Sequence, residues 1–365
     1  MQAWSPDISS FSTDYAGARE LFLEAASAAS VKSYPHPLRG PNGEALATDV
    51  AWLGPDDARC VLVLISATHG VEGFHGSAAQ IDWLRHGTLP DGCALLAVHA
   101  INPHGFAWLR RVTEDGVDLN RNFVDFDMPL PENPGYDELA DAIIPNGLDE
   151  QVLAQADAVL RNYADYFGQV AFEAALSGGQ FNHADGLFYG GRSPSWSRLT
   201  TEAIVRDFRL NERRRVAVLD FHTGLGPFGY GEPICDHPPA SVGLALARNW
   251  YGQSVTEPAI GTSTSVAKQG LSDYGWQRML GDRVVFIALE FGTYSFENII
   301  RVLRADHWLH RQGNINWQDA QTQAIKAGIR RHFYPATADW QQMVLFRARQ
   351  CIAQALAGLS SEIFR

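Results

Sequence analysis

Four short apolar runs, at residues 60–65, 94–100, 215–220 and 284–289, constrain this 365-residue chain more than any other feature. Runs of that length, apolar without a helical period, are what strands buried on both faces look like. Polar residues follow each: Thr68-His69-Gly70-Val71-Glu72-Gly73, then Ile101-Asn102-Pro103-His104-Gly105, then Phe221-His222-Thr223-Gly224, and finally Glu290. Helical patterns lie between them, at 77–85 with Ile81 and Leu84 facing in, and at 198–210. Buried strand, polar loop and helix therefore alternate, which predicts an α/β fold with a mostly parallel sheet covered by helices on both faces. Ligands of such sheets bind where loops leave the carboxyl ends of the strands.

The rest of the chain is compatible with one domain over 1–365, carrying an insertion or loop region around 127–197. Residues 12–29 read as a helix, with Tyr15, Ala18, Phe22 and Ala25 at helical spacing. Residues 33–52 read as a strand pair around Gly40-Pro41-Asn42-Gly43. Four prolines make 127–146 a loop, and a long helix is expected over 148–176. The glycine- and aromatic-rich stretch 177–197 suits either a structural loop or a substrate mouth. Helices are predicted at 295–304 and 336–359, the latter with Val344, Ala348, Ile352, Ala355 and Leu359 on one face.

A hydrophobic share of 46% with 19% charged residues supports a sizeable core, and a net charge of -12 without a Lys/Arg block argues against nucleic acid or an anionic membrane as partner. The opening residues Met1 to Pro6 show no basic segment leading into an apolar one, and no apolar run reaches about eighteen residues. A cytoplasmic protein is expected. Cys60, Cys93, Cys235 and Cys351 are scattered and read as buried thiols. No feature fixes an oligomeric state.

His69 and Glu72 sit where the first buried strand ends, spaced so that one loop hands both to one metal ion. A catalytic zinc takes three protein ligands and keeps a position open, and two histidines with one glutamate form such a set. The third ligand is expected from a separate strand end, where His222 is the best placed. An isolated histidine is more often a structural side chain, the reading kept for His75, His99, His104, His183 and His237. Shared position at strand ends lifts His69, Glu72 and His222 above it.

Zinc activates water, but a base must still move the proton, and Glu290 closes an otherwise apolar strand. A carboxylate so flanked is costly to bury without a partner. Arg111 and Arg121 supply the two cations that amide hydrolysis beside a carboxylate calls for: one aimed at the developing oxyanion, one forked onto the carboxylate. His75, Asp118 and Asp220 lie near these residues and read as groups that orient a ligand histidine or an arginine, with a second metal the lesser alternative.

Taken in order, His69-Gly70-Val71-Glu72, Asn102-Pro103-His104-Gly105-Phe106, Arg111, Gly116-Val117-Asp118-Leu119-Asn120-Arg121-Asn122-Phe123, His222 and Glu290 resemble the motif set of the zinc carboxypeptidase family. The similarity is nearest to the bacterial branch related to succinylglutamate desuccinylase and aspartoacylase, and it spans residues 68–293. It implies a three-layer α/β/α fold on a mixed sheet. It also implies one Zn2+ per chain on His69, Glu72 and His222, with Glu290 as general base and then acid. By the same resemblance Arg111 steadies the oxyanion while Asn120 and Arg121 bind the substrate carboxylate. Arg110, adjacent to Arg111, is a second candidate for substrate contact, and Tyr274 is the candidate for the tyrosine that closes over substrate in digestive members.

The expected activity is zinc-dependent cleavage of an amide next to a carboxylate. The substrate would be a short peptide trimmed at its C-terminus or an N-acyl amino acid. The rivals are an esterase or deacylase acting on substrates without a free carboxylate, and a zinc-binding scaffold without catalysis.

Overall fold

The computed structural model describes residues 6–313 and 315–363; residues 1–5, read above for a leader, lie outside them. Among the described residues the strands are β1 (Ser30–Arg39), β2 (Ala45–Leu53), β3 (Cys60–Ile65), β4 (Cys93–His99), β5 (Arg215–Phe228), β6 (Gly231–Ile234) and β7 (Val284–Gly292). They form one sheet in the order β1-β2-β4-β3-β5-β7-β6. The neighbours β4, β3, β5 and β7 pair in parallel. β1, β2 and β6 join at the edges by antiparallel pairing, so the sheet is mixed around a parallel centre.

The helices are α1 (Tyr15–Ala25), α2 (Gly73–His86), α3 (Pro103–Ala107), α4 (Pro134–Ile143), α5 (Glu150–Phe167), α6 (Gln169–Ser177), α7 (Trp196–Asp207), α8 (Val242–Tyr251), α9 (Ser272–Leu280), α10 (Phe296–Arg311), α11 (Ala320–Phe333) and α12 (Ala338–Ile363). The strands' period of two divides the core between the faces. Leu62 and Leu64 of β3, with Ala217 and Leu219 of β5, pack among Phe22 of α1, Phe74 of α2, Trp250 of α8 and Trp340 of α12. Val61, Val63, Val216 and Val218 point the other way, among Ile204 of α7 and Trp276 of α9. Two apolar layers on one sheet explain why the runs are apolar through their middles; each fully buried aliphatic side chain contributes about 1.5–3 kcal/mol. A third apolar cluster joins α4, α5, α6, α10 and α11 beside Val71 of the metal loop.

The α/β expectation holds, the four cysteines are free and buried, and α12 buries all five residues of its expected face. Some local expectations do not. Residues 127–146 hold α4, because Asn133 caps the backbone N–H of Tyr136 and Pro134 occupies the first turn, where its missing N–H costs nothing. The long helix over 148–176 breaks into α5 and α6 at Gly168, whose φ of 88° lies outside the helical region. β5 and β7 continue past residues 220 and 289, so His222 and Glu290 lie within strands rather than just beyond them. β6, α8, α9 and α11 carried no reading in the sequence. No helix among the described residues is long and apolar enough to cross a membrane.

Candidate metal centre and substrate cavity

β3 ends at Ile65 and the chain turns through His69 into a single 3-10 turn, Gly70–Glu72, which runs directly into α2. The turn is held from outside: Gly70 N–H donates to Arg111 O at 3.2 Å and Val71 N–H to Arg110 O at 2.8 Å. Only glycine fits at position 70, since a Cβ there would fall on the Gly105 carbonyl carbon and the Phe106 nitrogen. His222 comes from β5, across the parallel β3/β5 pairing.

These elements bring three donors together. His69 Nδ1 lies 3.1 Å from Glu72 Oε1 and 3.2 Å from His222 Nδ1, and His222 Nδ1 is 3.6 Å from Glu72 Oε2. One ligand atom from each residue falls within 4.8 Å of the others, and each residue is at most 3% exposed, so water offsets little of their desolvation. Burial pushes the Glu72 carboxyl up, but His69, His222 and Arg111 outweigh it and hold the group far below its ordinary range. Burial opposes a charge on His222, yet Asp220 and Glu72 lift its pKa well above the usual value.

The outward nitrogens face carboxylates. His69 Nε2 is 3.1 Å from Asp118 Oδ1, and His222 Nε2 is 2.9 Å from Asp220 Oδ2, whose other oxygen accepts from Thr68 Oγ1 at 2.7 Å. A carboxylate behind each histidine fixes its ring and leaves the inward nitrogen for a ligand bond. Asp118 and Asp220 thus sit behind the ligands. His75 turns away: its Nδ1 lies 2.5 Å from Glu72 O, its ring packs on Phe221 and Phe291, and burial depresses its pKa to about 4.

Glu290 is the register partner of His222 across β5 and β7. Its Oε1 accepts from Leu225 N–H at 3.0 Å, and burial together with the charge of Glu72 raises its pKa. Arg111 donates from Nη1 to Glu72 Oε1 at 2.7 Å and from Nε to Asp118 Oδ2 at 3.1 Å, while its Nη2 lies 2.8 Å from His69 Nε2.

A cavity of about 90 Å³ joins His69, His222, Arg111 and Glu290 to Asn120, Arg121 and Lys268, with Leu225, Phe296, Ile299 and Phe333 among its apolar lining. Arg121 is 1% exposed and donates only to carbonyls, Ser177 O at 2.7 and 3.2 Å and Asn120 O at 2.7 Å. No carboxylate lies within ion-pair reach of it among the described residues; burial lowers its pKa to about 10. Asn120 Oδ1 accepts from Ser272 N–H at 2.8 Å. Phe188 lies 5.4 Å from both the Arg111 and Arg121 guanidinium carbons. The loop over 177–197 therefore reaches the site, through Ser177 and Phe188.

Two candidates lie elsewhere. Arg110 does not line the cavity; it is buried against Asp306 of α10, its Nε 3.1 Å from Oδ2. Tyr274 is half-buried outside the cavity lining, its hydroxyl donating to Lys268 O at 3.4 Å. Conversely, Lys268 and Asp236 line the cavity without having been singled out. Burial, with Arg121 nearby, lowers the Lys268 pKa to about 8, and burial with Asp273 raises that of Asp236 to about 7. The only signal for Lys268 is rarity, since the chain has three lysines against 26 arginines.

A family described as "Protein of unknown function (DUF2817)" matches residues 11–347. No curated protein matches the chain in sequence. Among solved structures, an aspartoacylase family protein from Mesorhizobium loti is 17% identical with a TM-score of 0.37, the match covering 72% of this chain and 61% of that one. The chain thus spans about three-fifths of that relative's length. A succinylglutamate desuccinylase from Chromobacterium violaceum is 14% identical with a TM-score of 0.37, covering 87% and 74%. A metallo-carboxypeptidase from Pseudomonas aeruginosa, solved with (2-guanidinoethylmercapto)succinic acid, is 13% identical with a TM-score of 0.39, covering 90% and 68%.

Proposed function

Because this chain belongs to the DUF2817 family, whose description assigns no activity, its function is read from the site itself, and we propose a zinc-dependent hydrolase that cleaves an amide bond next to a carboxylate. One observation carries the proposal: two of the three clustered donors, His69 and His222, line one small cavity together with the acid Glu290 and with Arg121, which has no carboxylate partner among the described residues. The donor set suits zinc, being two imidazole nitrogens and one carboxylate oxygen, buried, with a carboxylate behind each ring. His69, Glu72 and His222 would hold the ion. Zinc bound there supplies a Lewis acid that polarises the scissile carbonyl.

The remaining work falls to the chain's own groups. Arg121 offers a desolvated guanidinium, and Asn120, its oxygen committed to Ser272, offers its NH2; together they fork onto the substrate carboxylate. That contact sets the amide's position relative to Glu290. Glu290, its oxygen oriented by Leu225 N–H and its pKa raised by burial and by Glu72, takes the proton of the attacking water and returns it to the departing nitrogen. Arg111 donates to the oxyanion as it develops. Short peptide ends and N-acyl amino acids are the substrates that present such a carboxylate beside an amide.

The test begins with metal analysis of the purified protein, before and after addition of zinc. A panel of short peptides and N-acyl amino acids is then run beside the same compounds with the carboxylate amidated or esterified. Turnover confined to free carboxylates is expected. Equal turnover of blocked substrates would remove the carboxylate role, zinc bound without any turnover would favour the scaffold reading, and protein that binds no zinc even when it is added would overturn the proposal.

A further inference from the structure

Arg110 has no place in that mechanism, yet it is one of the most tightly tied cations in the molecule. Its backbone belongs to the metal loop's support: Arg110 N–H donates to Gly105 O at 2.8 Å, its carbonyl accepts from Val71 N–H, and the next carbonyl, Arg111 O, accepts from Gly70 N–H. Two consecutive carbonyls therefore hold the two amides lying between His69 and Glu72. Its side chain reaches Asp306, whose Oδ1 takes the Lys326 ammonium of α11 at 2.6 Å. Lys326 also donates to Trp108 O at 2.9 Å, two residues before Arg110, and lies 2.8 Å from His310 Nε2. Asp306 is 1% exposed and Lys326 2%.

Such a cluster is weak evidence for stability, because desolvating the ions costs about as much as their attraction returns. An apolar contact could close the same gap between α10, α11 and the segment 108–111. It could not fix that segment's direction, whereas Asp306 grips it through the Arg110 guanidinium and through the lysine bound to Trp108 O. The same two helices carry Phe296, Ile299 and Phe333 into the cavity.

We infer that Asp306 is a positioning residue, which through Arg110 and Lys326 sets the 108–111 segment and with it the Gly70 and Val71 amides and the Arg111 guanidinium. The metal loop is then held in place from the helical side of the molecule as well as from the end of β3. What the positioned groups do rests on the metal-site reading above; that they are positioned this way does not.

The test uses the full chain with Arg110→Gln, which leaves Asp306 its lysine partner, and Arg110→Lys as the conservative variant. Hydrogen exchange is followed by mass spectrometry on metal-free protein, and zinc affinity by competition with a chelator. In Arg110→Gln, exchange in peptides covering 69–72 should speed about tenfold or more while β3 and β5 peptides stay as in wild type, and zinc should bind roughly tenfold more weakly. Arg110→Lys should recover part of both. Exchange at 69–72 within twofold of wild type, or an increase spread evenly over the sheet, overturns the inference by making the cluster a staple only. If Arg110→Gln does not fold, the same peptides are compared between Arg110→Lys and wild type, where a local increase at 69–72 is expected and its absence counts against positioning. Wild-type protein that binds no zinc defeats the metal-site reading alone, since the exchange measurement still decides whether Asp306 positions the loop through Arg110.

Discussion

Asp118 is where the reasoning about this site is most exposed to test. Its buried carboxylate accepts from Asn120 N–H at 3.0 Å and from Arg111 Nε at 3.1 Å, and its Oδ1 stands 3.1 Å behind His69 Nε2. Burial alone would push its pKa up, but Arg111 and His69 hold it well below the ordinary value, so it is a full anion. Asp118→Asn keeps the shape and one acceptor oxygen. If that oxygen keeps the contacts to His69 and Asn120, the new NH2 faces Arg111 Nε, two donors meet, and Arg111 loses a charge-assisted hydrogen bond of about 1.5–3 kcal/mol. Mutating the carboxylate behind a ligand histidine weakens metal binding about 10–100-fold, or roughly 1.4–2.8 kcal/mol, and the neutral amide removes that carboxylate's charge even where its oxygen stays behind His69. Zinc affinity by chelator competition should therefore fall by that factor, with native circular dichroism retained. A zinc Kd within about twofold of wild type would refute the idea that Asp118 orients His69.

Glu290→Gln should retain zinc at wild-type stoichiometry and lose turnover by about 10²–10⁴-fold, and activity near wild type would exclude Glu290 as the base. Arg121→Ala should raise KM for free carboxylates by about 30-fold or more while sparing blocked analogues, because a desolvated charge-assisted contact is worth about 2 kcal/mol or more; a uniform change across both sets would argue for a packing role. Asp306 predicts a pH dependence of stability: burial raises its pKa, but Lys326 and Arg110 hold it far below the usual carboxylate range. A carboxyl depressed in the folded state contributes stability that is present above its unfolded pKa of about 4 and lost as pH falls toward the folded one. Urea midpoints taken from pH 6 to 3 should fall more steeply in wild type than in Asp306→Asn, and parallel slopes would count against it.

The sheet was legible because its signal is local. Strands buried on both faces are apolar at nearly every buried position, so β3, the starts of β4 and β7 and the stretch 216–219 of β5 announce themselves within a few residues. β6 did not, since Gly231–Ile234 contains a glycine, a charged residue and a proline and is a strand only by pairing with β7. Glu232 within it is buried because hydroxyls and an N–H from a later loop surround its carboxylate, Ser263 at 2.8 Å and Thr264 N–H at 3.1 Å among them. Helices α9 and α11 mix polar residues through their length, and α8 is short, with its aliphatic residues concentrated in its first six positions. Proline misled at 127–146, where Pro134 starts a helix rather than preventing one.

The candidate site divides along the same physical line. His69, Glu72, His222 and Glu290 could be named because parallel strands that begin in register also end near one another, so residues following separate runs share an edge. Arg110 and Arg111 could not be told apart, being the same residue type in adjacent positions. What separates them is a carboxylate 196 residues further on, which takes the first side chain and leaves the second to Glu72 and Asp118. The lysines did hold information. Arginine presents a planar fork, whereas an ammonium donates in three divergent directions, which is what Lys326 does toward Asp306, Trp108 O and His310. In a chain that uses arginine for nearly all its cations, a lysine away from the surface marks a place where the fork does not fit. Lys268 meets the same description inside the cavity, folded back onto Ser265 and Val266 O.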